Sequence, residues 1–184
     1  MSPEQVLELV DDILTNHHIP LKAELATLGA TLPADTATTF AELRQLLDGH
    51  LMKEETILFP NFQGLARGVP VEGYGLLGPI QQMRHEHAQL RALEVRLRAD
   101  AQRGGPGAEA LLALLDDLVI HANKEETILF PAAIALAGLP EPDWEELEAD
   151  NEPPARARTV TPTPKKEKQP RRSLLGRIAR KLRR

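Results

Sequence analysis

The sequence predicts an all-α fold, an antiparallel up-and-down four-helix bundle made of two copies of one helix pair, followed by a disordered linker and a basic amphipathic helix. Three observations carry this. Apolar residues recur at three- and four-residue spacing through four long segments. The breaks between those segments are short and rich in Gly and Pro. An eleven-residue stretch of the second segment returns almost unchanged in the fourth.

The first helix is read from Leu7, Val10, Asp11, Leu14, His18, Leu21 and Leu25, with Ser2 as N-cap and Pro3 at the first helical position. The second carries Phe40, Leu43, Leu47, His50, Leu51, Ile57 and Leu58. The third carries Leu76, Ile80, Met83, His87, Leu90, Leu93 and Leu97, and the fourth Leu111, Leu114, Leu115, Leu118, His121, Ile128 and Leu129. Breaks fall at Leu32-Pro33, between Gly64 and Gly75, and at Gly104-Gly105-Pro106. Connections this short place sequential helices side by side and antiparallel. Pro20, Pro60 and Pro131 each remove a backbone donor and are expected to kink or end their helices. The bundle is assigned to residues 1–138, a linker to 139–170 and a tail to 171–184.

The 184 residues suffice for one domain and a tail. With no cysteine, the chain has no disulfide scaffold, thiolate metal site or cysteine nucleophile. Aromatic residues make up only 3%, which argues against base stacking on nucleic acid. Residues 1–15 lack the basic start and apolar core of a signal peptide, and no apolar run is long enough to span a bilayer. The expected setting is cytoplasmic, with the tail giving a peripheral place at the inner membrane face.

The formal charge of -5 hides an uneven distribution. Residues 1–140 carry 10 basic and 19 acidic side chains, residues 141–152 carry 7 acidic ones, and residues 153–184 carry 12 basic and 1 acidic. Prolines at 140, 142, 153, 154, 162, 164 and 170 give the middle stretch a linker composition. In the tail, Arg171, Arg172, Arg177, Arg180, Lys181, Arg183 and Arg184 flank an apolar face of Leu174, Leu175, Ile178 and Leu182. Docking back on the acidic body or disorder ranks first for this segment, an anionic membrane surface second and nucleic acid third.

The repeat carries the chemistry. His50-Leu-Met-Lys-Glu-Glu-Thr-Ile-Leu-Phe-Pro60 and His121-Ala-Asn-Lys-Glu-Glu-Thr-Ile-Leu-Phe-Pro131 agree at nine of eleven positions, 71 residues apart. A weaker echo, His-x-x-Leu-base-Ala, links His18 with His87. Each half therefore offers one histidine from its first helix and a His-x-x-x-Glu from its second. Residues four apart share a helix face, so His50 with Glu54, and His121 with Glu125, point one way, toward flanking leucines. Charges on an apolar stripe are costly unless they are paired or bind metal. His18, His50, Glu54, His87, His121 and Glu125 thus form a candidate metal set, and a sulfur-free mixture of imidazole and carboxylate suits iron, manganese or zinc. His17 and His85 are alternative ligands or supporting donors. Glu55 and Glu126 are expected to face solvent or to support the ligands from behind. Lys53 and Lys124 read as surface residues, and Phe59 and Phe130, with Ile57 and Ile128, as core packing that caps the site.

The order His18, His50-x-x-x-Glu54, His87, His121-x-x-x-Glu125 resembles the hemerythrin-like (HHE cation-binding) family over roughly residues 1–138. Within it, residues 50–60 and Gly78-Pro79-Ile80-Gln-Gln-Met83-Arg-His-Glu86-His87 are similar to the branch of di-iron proteins that repair iron-sulfur centres. The resemblance implies two non-haem iron ions, with room for an oxo bridge, Glu54 and Glu125 bridging and the four histidines as terminal ligands; manganese or zinc comes second. The oxygen-carrying members use five histidines, a glutamate and an aspartate, and four histidines match here. The smaller ligand set implies open coordination, hence binding, sensing or reaction with O2, NO or peroxide, with peroxide decomposition or NO chemistry as the enzymatic version. It equally allows an iron donor to apo iron-sulfur proteins, or an interaction module whose metal is structural.

Overall fold

The structure, a computed structural model, describes residues 1–71 and 73–144. Among these residues the only regular elements are helical, and four long helices make the bundle. Helix α1 covers residues 3–27 and is followed by a 3-10 turn, Leu28–Thr31; α2 covers 34–66, α3 runs Gly73–Gln102, and α4 covers 108–136. The linker beyond Trp144 and the tail residues Arg171 to Arg184 lie outside the described residues.

Local chemistry sets the ends. At the start of α1, the Gln5 N–H donates to the Ser2 hydroxyl at 3.3 Å while the Ser2 N–H donates to Gln5 Oε1 at 2.8 Å, closing a capping box. At the start of α4, Gly107 has φ 73°, and a Cβ there would stand 2.6 Å from Thr31 Oγ1. Only glycine lets this turn pass so close to the end of the first helix.

Helices α1, α2 and α4 do not stop at their prolines. Each passes the proline through a π turn: Leu14–His18, Glu54–Leu58 and Glu125–Leu129. The N–H groups of Ile19, Phe59 and Phe130 reach back five residues to the carbonyls of Leu14, Glu54 and Glu125, and Pro20, Pro60 and Pro131 come next in the chain. A proline cannot donate to the carbonyl four residues behind it, and its ring would collide with that group. Widening the preceding turn removes the collision, so the helices run on to Thr27, Ala66 and Leu136. In α3 the interior Pro79 is accommodated differently, since Asn61 Nδ2 of α2 donates to the Gly75 carbonyl that Pro79 leaves without its helical donor.

A π turn advances fewer degrees per residue than an α turn, so the buried face slips by one position. Upstream in α1 the buried residues are Val6, Val10 and Ile13, one step from the expected Leu7 and Leu14, which are half-buried, while Asp11 is exposed. That upstream phase ends at His17, and the downstream phase opens at His18 and continues through Leu21, Leu25 and Leu28. The same slip corrects two expected core residues. An unbroken α-helix would turn Ile57 and Ile128 inward beneath His50 and His121, but they are 49% and 45% exposed, and Leu58 and Leu129 take the buried places. Phe59 and Phe130 are buried as expected.

The apolar interior is divided into two clusters. One joins Val6, Val10, Ile13, Leu58, Phe59, Phe62, Ile80, Met83 and Phe130 with their neighbours; the other joins Leu21, Leu25, Phe40, Leu43, Leu47, Leu97, Leu111 and Leu115 with theirs. Chain beyond Gly138 still packs on the first cluster, through Leu139 and Trp144, and the Arg84 guanidinium lies 4.9 Å from the centre of the Trp144 ring. Apart from Thr36 and Thr39, the buried polar residues fall where each helix passes from one cluster to the other.

The π phase slip predicts a contrast between neighbours. Leu58→Ala should cost about 2–5 kcal/mol, as for other buried leucines, whereas Ile57→Gln should stay within about 0.5 kcal/mol of the parent. Urea unfolding of the two variants checks this; equal losses would mean that no slip occurs.

Candidate metal centre

His18, His50, Glu54, His87, His121 and Glu125 are all buried, with Glu54 and Glu125 fully so. Their metal-facing atoms fall into two groups that share both glutamates: His18, Glu54, His121 and Glu125, and His50, Glu54, His87 and Glu125. In the first group the two Nε2 atoms are 3.2 Å apart, Glu54 Oε2 is 3.4 Å from His18 Nε2, and Glu125 Oε1 is 3.2 Å from His121 Nε2. In the second, the Nε2 atoms of His50 and His87 are 3.1 Å apart, with Glu54 Oε1 3.0 Å from His50 and Glu125 Oε2 3.2 Å from His87. Each glutamate thus turns one oxygen to each group.

These separations fit cations. Two donors bound at about 2.1 Å to one ion stand roughly 3.0–3.4 Å apart when their bond angle is about 90–110°. The carboxylates give a second test. Among the described residues, all four oxygens of Glu54 and Glu125 are buried without a hydrogen-bond partner, with imidazole Nε2 atoms 3.0–3.4 Å away. A buried carboxylate left in that condition is strongly unfavourable, and a shared pair of cations would satisfy all four oxygens.

Behind the ligand atoms stands a ring of acids, each held by a base. His18 Nδ1 donates to Glu55 at 2.8 Å, and Lys22 donates to the same carboxylate at 2.5 Å. Its counterpart in the other half has His87 Nδ1 donating to Glu126 at 2.8 Å, with Arg91 on that carboxylate at 2.9 Å. His50 Nδ1 donates to Glu86 at 3.0 Å, where Lys53 and Gln82 also converge. Such acids fix each ring so that Nε2 faces inward as the free donor. Of the two places the sequence offers Glu55 and Glu126, solvent or behind the ligands, their hydrogen bonds put them behind the ligands; the sequence pattern does not mark Glu86, and Lys53 and Lys124, which read as surface residues, reach Glu86 and Asp12. The signal for Glu86 was its position directly before His87, on the helix that packs beside His50.

His17 is buried but belongs to neither group; its ring stacks on His121 at 5.8 Å between centres. His85 is exposed, paired with Gln89 at 2.9 Å.

Two comparisons with known proteins bear on this geometry. Residues 9–133 match the family described as hemerythrin HHE cation binding domain. The chain belongs to the hemerythrin HHE cation-binding family. Curated relatives carry the name iron-sulfur cluster repair protein: YtfE of Edwardsiella ictaluri (strain 93-146), 38% identical over 124 residues that cover 61% of this chain and 53% of that protein; and DnrN of Neisseria gonorrhoeae, 34% identical over 143 residues, 66% of this chain and 87% of that protein. YtfE of Escherichia coli O157:H7 is 28% identical over 152 residues, 70% of this chain and 66% of that protein. The chain thus spans about half the length of the Edwardsiella relative and most of the Neisseria one. Among the described residues of this hemerythrin-family chain, no helix is long and apolar enough to cross a membrane.

Without metal, the facing glutamates push His50, His87 and His121 toward the protonated form, against burial. Burial pulls the His50 imidazole down, but Glu54 and Glu86 outweigh it and carry it up to about 10. Burial raises Glu86 and Glu126, yet the histidine and base facing each bring them down to about 2. A raised histidine stabilises the fold fully below its ordinary value of 6.5 and loses that effect as pH climbs through about 10. The depressed carboxylates stabilise above 4.5 and lose the effect as pH falls toward 2. Melting of the metal-free protein should therefore peak between these limits. Bound metal displaces the Nε2 protons, so its stabilisation should grow with pH and flatten the alkaline limb; thermal melts with and without metal measure both.

Proposed function

We propose that this chain is a non-haem di-iron protein, with one ion between His18 and His121, another between His50 and His87, and Glu54 and Glu125 shared by both. The observation that carries the reading is the pair of fully buried glutamates whose four oxygens have no hydrogen-bond partner among the described residues. A sulfur-free set of imidazoles and carboxylates suits iron, with manganese or zinc as lesser fits.

Four protein donors per ion leave coordination positions open for a small molecule. A cavity of about 50 Å3 reaches the site beside His50, His87 and His121, walled by Leu47, Leu90 and Leu118. That is enough for a diatomic molecule, peroxide or a few waters. When bound, iron would supply reversible ligation and electron transfer toward O2, NO or peroxide. The residues of the chain do the rest: Glu55, Glu86 and Glu126 aim three imidazoles, and the leucines limit entry of water. The proposed activity is accordingly binding, sensing or reaction with such a ligand.

The names of the relatives favour a second reading, in which the iron is given up to damaged iron-sulfur proteins. The two readings share one centre and differ in whether its iron leaves.

Protein from iron-supplemented cells should contain about two irons per chain by elemental analysis, and Glu125→Ala should bring this to about one or none. An unaltered iron content in that variant would sink the shared-glutamate arrangement. Incubating isotope-labelled holoprotein with an apo iron-sulfur enzyme then separates the readings, because label moves to the enzyme only if the chain is a donor.

A further inference from the structure

The inward histidines of the centre are supported alike except at one place. Three of the four inward histidines rest on a carboxylate at Nδ1: His18 on Glu55, His50 on Glu86 and His87 on Glu126. Among the described residues, the fourth does not. The carboxylates within ion-pair range of His121 are Glu54 and Glu125, and both face its Nε2.

The repeat shows what has changed. Glu86 precedes His87 as His17 precedes His18, and Lys53 follows His50 as Lys124 follows His121. In one half, Lys53 donates to Glu86, which accepts from His50. In the other, Lys124 Nζ lies 2.9 Å from His17 Nε2, and His17 stacks its ring on His121. An ammonium only donates, so His17 Nε2 accepts. The proton of this ring then sits on Nδ1 and is donated to Asp117 at 2.8 Å. An imidazole ring therefore stands where the other half has a carboxylate. Stacking orients His121, but it supplies no acceptor to make the imidazole a stronger donor.

Carboxylates behind metal-bound histidines raise ligand basicity, and their loss costs roughly 10–100-fold in metal affinity. The position between His50 and His87 has both its histidines backed in this way; the position between His18 and His121 has one. We propose that the two cation positions are unequal, the His50/His87 position holding its ion firmly and the His18/His121 position holding an exchangeable one, with Glu86 and His17 as the positioning residues that set the difference. This rests on the two-cation reading above. It also names the ion that an iron donor would release.

The test is a titration of the metal-free full chain with ferrous iron without oxygen, followed by calorimetry, and a parallel one with zinc followed by nitrogen NMR of the histidine rings. Two ions should bind in two steps at least about tenfold apart, and one equivalent of zinc should shift His50 and His87 Nε2 before His18 and His121. Glu86→Gln should weaken the first step roughly 10–100-fold and merge the two. His17→Glu should strengthen the second; if that variant does not fold, Glu86→Gln with an unchanged circular dichroism spectrum decides alone. Two ions binding in indistinguishable steps, or a first step untouched by Glu86→Gln, overturns the inequality and leaves the two-cation reading standing. Fewer than two ions overturns both.

Discussion

Two glutamates with no exposure and no hydrogen bonds, set among four buried histidines, are the constraint around which the rest of this molecule is arranged. A lone buried carboxylate costs several kcal/mol or changes its protonation, and neither outcome favours a compact bundle. The arrangement becomes reasonable only if positive charge is shared between Glu54 and Glu125. Imidazolium protons can supply some of it in the metal-free state, as the raised His50 indicates, and cations supply it with better geometry. The two apolar clusters give this polar layer its dry surroundings, and the ring of Glu55, Glu86 and Glu126 keeps the imidazoles turned toward it.

Holding so many donors at one level is a problem of helix phase, and the prolines solve it. An α-helix drifts by about 40° over four residues, so a His-x-x-x-Glu followed by further core residues walks off the buried face. The π turns ahead of Pro20, Pro60 and Pro131 absorb the drift. His50, Glu54 and Leu58 stay buried in one line, as do His121, Glu125 and Leu129. In α1 the slip buries both His17 and His18, one for each phase. Helix α3 gives one residue to the inner set, His87, and its burial follows an unbroken α period from Leu76 through Leu97. Thr56 and Thr127 sit in equivalent π turns, each donating to the carbonyl four residues back at 2.6 Å, so the backbone device is duplicated along with the ligands.

Duplication also explains how an unsymmetrical site can arise on a symmetrical frame. Both halves keep the inward ligands, the acid behind the first-helix histidine and the base that holds that acid: Lys22 in one half, Arg91 in the other. They diverge at His17 and Glu86, which touch the ligands from behind and leave the ligand count unchanged.

The sequence by itself determined the class of fold, the number of helices and the six converging residues, because apolar period and exact repetition are properties of the chain read along its length. It also singled out the three prolines. The turn of helix they impose is not legible there, since periodicity assumes a constant advance per residue and a π turn breaks that assumption locally; a constant period puts Ile57 and Ile128 inside for this reason, and the structure exposes them. Tertiary structure alone laid His17 on His121, brought Glu86 behind His50, and drew Lys53 and Lys124 into the network. Those pairings join different helices, and nothing in the spacing along one helix fixes which side chain of its neighbour will stand opposite.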